Sequence, residues 1–237
     1  MRTSNIVIIM LLSFALLACA PAGPTPTTTP PGVNVANAEV PSSAGATQAA
    51  AGAVPDRKMD PDVAKLFANS GSVKSYSFDV AFLPDNRAPY KYLVKGNKVK
   101  VVLLQQLVFS DGNADVVYLD YDQKTAFAYC IKKGAFCTDL TRARAVNFAD
   151  YAIVLPPSWI DNLKYGTKTR SLTVNNAPVN VVQYEADGKQ YEAYIHNYWG
   201  YPVRIAIKNA AGDIVSGYEY RSMSFQDVKD SDVTPPQ

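Results

Sequence analysis

The sequence predicts a mainly β domain, a curled antiparallel meander of about ten strands with short helices on its inner side. Three observations carry this. Apolar and polar residues alternate with a period of two through most of residues 73–221, turn residues recur at short intervals, and only two stretches carry a helical pattern. The predicted strands are residues 73–83, 89–95, 98–104, 116–121, 125–131, 169–174, 179–185, 191–196, 203–208 and 214–221. Lys95-Gly96-Asn97, Asp111-Gly112-Asn113, Asp122-Gln123, Asn175-Asn176, Asp187-Gly188 and Ala211-Gly212-Asp213 separate them. These residues tolerate positive φ and suit tight hairpins. Ten strands exceed what one flat sheet carries, so curling is expected.

Two short helices interrupt the strands. Residues 60–70 begin with Asp60-Pro61, an N-cap followed by proline at the first helical position, and present Val63, Leu66 and Phe67 on one face. In residues 156–165, Trp159, Ile160 and Leu163 form an apolar face, and Gly166 stands where a helix C-cap is expected. That face has to be buried, and the concave side of a curled sheet is the natural place.

Ahead of the domain, residues 1–18 are built like a secretory signal. Met1-Arg2 supplies charge, residues 6–17 are apolar except for Ser13, and Leu16-Leu17-Ala18-Cys19 closes the segment. This stretch resembles the lipobox of prokaryotic lipoproteins, although Ala or Ser more often stands where Leu17 does. The resemblance implies cleavage before Cys19, acylation of its thiol, and a lipid-anchored chain on the extracytoplasmic face of the cell membrane. The rival readings are an ordinary signal cut near Ala18 or Ala20 and an uncleaved transmembrane anchor. The apolar run is shorter than the roughly 20 residues a spanning helix needs.

Residues 20–55 contain no aromatic residue, one charge (Glu39) and seven of the chain's sixteen prolines. Such a composition cannot build a core. Residues 19–55 therefore read as a lipidated cysteine and a disordered tether, with a root-mean-square reach of roughly 30 to 36 Å. Residues 25–29 could carry O-linked sugar, with plain linker as the alternative. Residues 56–237 hold every tyrosine and tryptophan, and 22 Lys and Arg against 20 Asp and Glu. Neither sign dominates and no basic stripe occurs, so nucleic acid is not an expected partner.

The end of the domain carries a second resemblance. Tyr201-Pro202-Val203-Arg204-Ile205, Gly212-Asp213, Tyr218-Glu219-Tyr220 and Val228-Lys229-Asp230 through Val233-Thr234-Pro235-Pro236 resemble the close of proteins with the LolA and LolB-like fold; Ser75 to Phe78 after a short helix fits its opening. The resemblance implies an open antiparallel half-barrel plugged by a helical lid, and a cavity that holds a lipid or acyl chain. The tether and a cysteine pair depart from the transport members, so a relative is expected rather than the sorting carrier. An envelope without an outer membrane would suit it. Shared fold does not settle function.

Cys130 and Cys137 flank a six-residue loop containing Lys132, Lys133 and Gly134. In an exported chain they read as a structural disulfide, worth roughly 2 to 3 kcal/mol if unstrained. The expectation is that it pins the loop near the cavity mouth. A redox-active pair favours closer spacing at a helix N-terminus, and a zinc site needs ligands the domain lacks.

No catalytic constellation is found, and neither cofactor nor metal is expected. His196, the only histidine, reads as a polar strand-end residue. The carboxylates at Asp111 and Asp115 and at Asp120 and Asp122 fall in hairpin turns; Asp227, Asp230 and Asp232 lack the glycine and terminal glutamate of an EF-hand loop. The domain is rich in aromatics, with 15 Tyr and 2 Trp. Alternation leaves open whether Tyr118, Tyr129 and Tyr218 face the cavity or the reverse. Tyr198, Trp199 and Tyr201 crowd one turn and are expected at the rim of a binding site, with Trp159, Ile160 and Leu163 contributing from the helix. The reading is a non-catalytic, membrane-anchored lipoprotein binding a lipid or other hydrophobic ligand. The alternative is a stalked surface interaction domain with a packed interior. Neither the ligand nor a protein partner is identified by the residues.

Overall fold

A computed structural model describes residues 58–161, 163 and 165–237. The signal, Cys19 and the tether lie outside the described residues. The domain is one open antiparallel sheet of eleven strands, so the mainly β fold class is as the sequence predicts. The strands are β1 (Ser75–Leu83), β2 (Arg87–Lys95), β3 (Lys98–Phe109), β4 (Gly112–Asp120), β5 (Thr125–Tyr129), β6 (Arg144–Ala145), β7 (Thr167–Val174), β8 (Ala177–Ala186), β9 (Lys189–His196), β10 (Pro202–Lys208) and β11 (Ile214–Phe225). Their spatial order is β6-β5-β4-β3-β2-β1-β11-β10-β9-β8-β7. Two meanders, β1 to β6 and β7 to β11, thus meet where the first and last strands pair, with Tyr76 opposite Phe225 and Phe82 opposite Tyr218.

The turn chemistry is realised locally. Asn175 and Asn176 both adopt positive φ (49° and 63°), as do Asp187 and Gly188 (50° and 69°), the backbone that closes a two-residue hairpin with the twist of its strands. At Asp122-Gln123 the positive φ falls on Lys124 instead.

Because β6 and β7 are the two edges of the sheet, residues 146–166 have to travel from one edge to the other. The described residues among them cross the concave face as a strap that carries a 3-10 turn (Phe148–Asp150) and the short helix α2 (Pro156–Asp161). Tyr151, Ile153, Leu155 and Trp159 of the strap are buried in the main core. Opposite them stand the inward residues of the strands: Tyr76, Phe78 and Val80, Tyr92 and Val94, Val99 and Val101, Tyr191, Ala193 and Ile195, Ile205 and Ile207, Tyr218 and Tyr220. The period of two in the sequence is this row of inward side chains.

The first helix, α1 (Pro61–Ala68), begins as predicted, with the Asp60 carboxylate accepting from the Asp62 amide at 2.9 Å. It buries Val63 and Leu66 in the same core. Gly166 is not a helix cap. It forms a parallel bridge with Met59 and accepts a backbone hydrogen bond from Asp60 (3.2 Å), which ties the start of the domain to the start of β7. The described part of the second helix stops at Asp161, short of the predicted 165. A third helix, α3 (Asp230–Val233), packs beside β2 and β3.

Cys130 and Cys137 are joined by a disulfide across a Cα separation of 5.9 Å. The loop it closes docks on the β3-β4 hairpin, where the Asn113 amide donates to the Phe136 carbonyl at 2.7 Å. Two glycines fix close approaches elsewhere. A Cβ on Gly217 (φ 151°) would stand 2.1 Å from the Ile205 carbonyl oxygen, and one on Gly200 (φ 69°) 2.3 Å from that of Leu66. Gly200 is thus where the turn after β9 touches the end of α1. Gly200→Ala is expected to cost about 3 kcal/mol, combining a left-handed backbone with a collision against main chain, read as a lower urea midpoint.

Candidate functional site

The strap is held by hydroxyls as well as by packing. Three tyrosines on three strands or turns point at its backbone. The Tyr92 hydroxyl donates to the Tyr151 carbonyl (2.9 Å), and Tyr121 donates to the Ile153 carbonyl (3.0 Å) while accepting from the Ile153 amide (3.1 Å). Tyr220 donates to the Val154 carbonyl (2.7 Å) and accepts from the Trp159 indole N–H (2.9 Å). Backbone of an irregular segment lying across a core has to find partners, and this ladder supplies them. Burial pushes the phenols of Tyr92, Tyr121 and Tyr220 up, so all three keep their protons.

The residues predicted to line a ligand cavity divide between different surroundings. Trp159 is buried in the core, within reach of the Tyr191 and Tyr218 rings, and Leu163 is buried; Ile160 is half-buried. Tyr201 is buried edge-on against Tyr76 with ring centroids 5.3 Å apart. Trp199 stacks on Phe225 at 4.8 Å beside a depression of about 260 Å³, and Tyr198 is exposed. The turn is fastened by His196, whose Nδ1 accepts from the amides of Tyr198 (3.1 Å) and Trp199 (3.4 Å). The strand tyrosines also divide: Tyr218 faces the strap, whereas Tyr118 and Tyr129 pack edge to face on the opposite side of the sheet with Val116.

An opening lies at the β7–β9 end, where the strap leaves the core. It is a groove of about 630 Å³ lined by Tyr165, Gln183, Tyr184, Gln190, Tyr191 and Lys208 among others. That volume is within the range of small-ligand sites. Tyr184 and Tyr191 stack in parallel, centroids 4.7 Å apart. Glu192, 3% exposed, also borders the groove. It accepts from Gln183 (2.8 Å) and Tyr194 (2.9 Å) and pairs with Lys208 (3.0 Å). Burial opposes its ionisation, but the three hydrogen bonds and the lysine charge outweigh that and hold its carboxyl at about 2. Sequence reasoning missed this groove. The disulfide loop, expected near the cavity mouth, sits instead on the β3-β4 hairpin in the other half of the sheet.

Several carboxylates are engaged in structural bonds. Glu219 is paired with Arg221 (2.8 Å) and accepts from Asn175 (3.0 Å), Asp230 pairs with Lys95 (2.8 Å), and Asp232 caps the amide of Lys229 (2.8 Å). Among the described residues, the carboxylate grouped with the cysteines is Asp115, and it stands next to a closed disulfide rather than two thiolates.

No family model matches the sequence, and no curated protein does. Among solved structures, the chain is similar to MucB at 11% identity and a TM-score of 0.43, covering 74% of this chain and 62% of that one. An uncharacterized conserved protein from Thermus thermophilus is similar at 8% identity and a TM-score of 0.40, with 74% and 93% covered. A LolA superfamily protein from Nitrosomonas europaea is similar at 11% and 0.29, with 73% and 97% covered. The chain spans less than two thirds of the MucB length, and likenesses this distant carry no weight for function.

Two outcomes are expected of the site. Tyr220→Phe leaves the Trp159 N–H and the Val154 carbonyl without a partner and costs about 2 to 3 kcal/mol in a urea melt. Burial lowers the His196 imidazole below its ordinary value, so the unfolded chain binds the proton first. Stability therefore falls as pH drops through about 6.5 and levels off once the folded imidazole is protonated too. Urea midpoints measured from pH 7 downward show this decline, and His196→Gln removes it.

Proposed function

We propose that this chain is a membrane-anchored, extracytoplasmic, non-catalytic binding domain that works through its surface, with the strap a permanent part of its core. The observation that carries the reading is the hydroxyl ladder from Tyr92, Tyr121 and Tyr220 to the strap backbone. A lipid lying along the concave face would displace the strap and leave these phenols, the Trp159 N–H and three main-chain carbonyls facing hydrocarbon. Each such group costs about 1 to 3 kcal/mol. A half-barrel built to enclose an acyl chain presents an apolar wall, whereas the apolar wall here also carries three hydroxyls already aimed at peptide groups.

A second reading is favoured by the groove of about 630 Å³ at the exit of the strap. There a hydrophobic or amphipathic ligand could lie against the stacked Tyr184 and Tyr191 without disturbing the ladder.

Mass spectrometry of the chain purified from envelope membranes tests both. The expected result is lipid mass on Cys19 alone and nothing extracted in stoichiometric amount from the folded domain. A second lipid equivalent that survives Tyr184→Ser would overturn the first reading, since it would place the ligand under the strap. One that Tyr184→Ser removes would establish the second.

A further inference from the structure

Four large apolar side chains stand out in water at one place in the fold. Leu104 (76% exposed) and Val108 (80%) belong to the outer end of β3, and Ile131 (50%) and Phe136 (71%) to the disulfide-closed loop. Val108, Ile131 and Phe136 are linked through the backbone of the β3-β4 hairpin. Val108 pairs with Asn113 across the β3-β4 hairpin, the Asn113 amide donates to the Phe136 carbonyl at 2.7 Å, and the Ile131 amide donates to Asp115 at 3.3 Å. The disulfide to Cys137 and the internal bridge from Gly134 to Cys137 keep the loop in this place. Exposed apolar side chains gathered on one hairpin and the loop docked on it mark a contact site.

The charged groups around it, Arg142, Arg144, Lys132 and Lys133 against Asp111, Asp115 and Asp139, leave a small positive excess. Asp111 is paired with Arg142 and Arg144, whereas Asp115 accepts from Gln106 and the Ile131 amide and Asp139 from Thr141, neutral donors that do not cancel a carboxylate's charge. Lys132 and Lys133, between the two exposed apolar residues of the loop, have no carboxylate partner among the described residues.

The geometry points to a bilayer surface with anionic headgroups as the occupant of this tip: Phe136, Ile131, Val108 and Leu104 enter the acyl boundary while Lys132 and Lys133 meet the phosphates. Apolar side chains interleaved with unpaired lysines are the composition that such a surface selects. The inference draws on the proposed anchor for proximity only. A tether reaching roughly 30 to 36 Å keeps the domain at high effective concentration over its own membrane, so even a weak contact is populated. The domain then has two attachments, a covalent one at Cys19 and a reversible one at the tip, and lies down on the membrane instead of swinging at the end of its stalk.

The test uses the full chain carrying Phe136→Trp, purified from envelope membranes and reconstituted into phosphatidylcholine vesicles with and without phosphatidylglycerol, with lipids brominated on their acyl chains as quenchers. Expected is quenching of the added tryptophan emission in the anionic vesicles, beyond that of the unsubstituted chain. With Lys132→Gln and Lys133→Gln together, the equilibrium toward contact weakens by roughly 30-fold, at about fivefold per lysine, and the quenching disappears. Emission from the Phe136→Trp chain that ignores the brominated lipids overturns the inference, as does quenching indifferent to the lysine pair, or a concentration-dependent dimer that Phe136→Ser abolishes. All the substituted side chains are exposed, so the fold is retained. The mass of the chain reports the anchor separately: if Cys19 carries no lipid, the tether reading fails, and the same quenching, read on vesicles added to the chain, still decides the tip.

Discussion

The strap across the concave face is the element on which the rest of this fold depends, and its existence is forced by topology. Two meanders joined at their first and last strands leave β6 and β7 at opposite edges, so the chain between them has one short path, over the inner surface of the sheet. A segment on that path carries main-chain amides and carbonyls into a core, where unpaired groups are expensive. The strands answer with hydroxyls. Tyr92, Tyr121 and Tyr220 are residues whose rings fill an apolar interior and whose tips bond to peptide groups, a combination that no aliphatic side chain offers.

That solution constrains what the domain can do. Phe78 is in ring contact with both Tyr92 and Tyr220, at centroid separations of 5.3 Å and 5.1 Å, and all three belong to the same buried cluster as the strap. The tyrosine-rich composition that suggests a ligand-lined cavity is thus largely consumed by the protein's own backbone. The groove at the exit of the strap and the exposed apolar side chains of β3 and the disulfide loop lie in different halves of the sheet.

Much of this was legible in the chain. The alternation of Tyr76, Phe78 and Val80 with polar neighbours, and the Asn175-Asn176 and Asp187-Gly188 turns, fix strands and hairpins by local chemistry alone. The expected disulfide and the Asp60 cap follow from equally local signals. What was not legible depends on long-range pairing. Arg144-Ala145 is a two-residue strand recognisable only because β5 lies beside it. The phase of the tyrosines could not be carried from one strand to another, because it follows from register. Tyr118 stands opposite Lys100 and Phe127 on the outer face, whereas Tyr218 stands opposite Phe82 and Ile205 on the inner. Gly166 resembled a helix cap because glycine serves both there and at close approaches. Its actual constraint is Val182, whose methyl would stand 2.7 Å from any Cβ.

The aromatic turn after β9 shows how one short sequence divides between structure and surface. A run of three aromatics in Asn197 to Tyr201 cannot be buried by one turn, and the molecule resolves it residue by residue. Tyr201 continues into the core against Tyr76 and Phe225, and Trp199 lies flat on Phe225, where it covers the end of β11. Only Tyr198 is left in water, held edge-on to Trp199 at 4.7 Å. Gly200 and His196 set this division, the first by letting α1 close against the turn and the second by satisfying two of its amides with one imidazole nitrogen. The single histidine of the chain is therefore spent on backbone, in the same way as the ladder tyrosines. In both cases polar side chains that a sequence reading offers to a ligand are taken first by irregular main chain, because a sheet that curls around its own connection has more peptide groups to satisfy than its strands can pair.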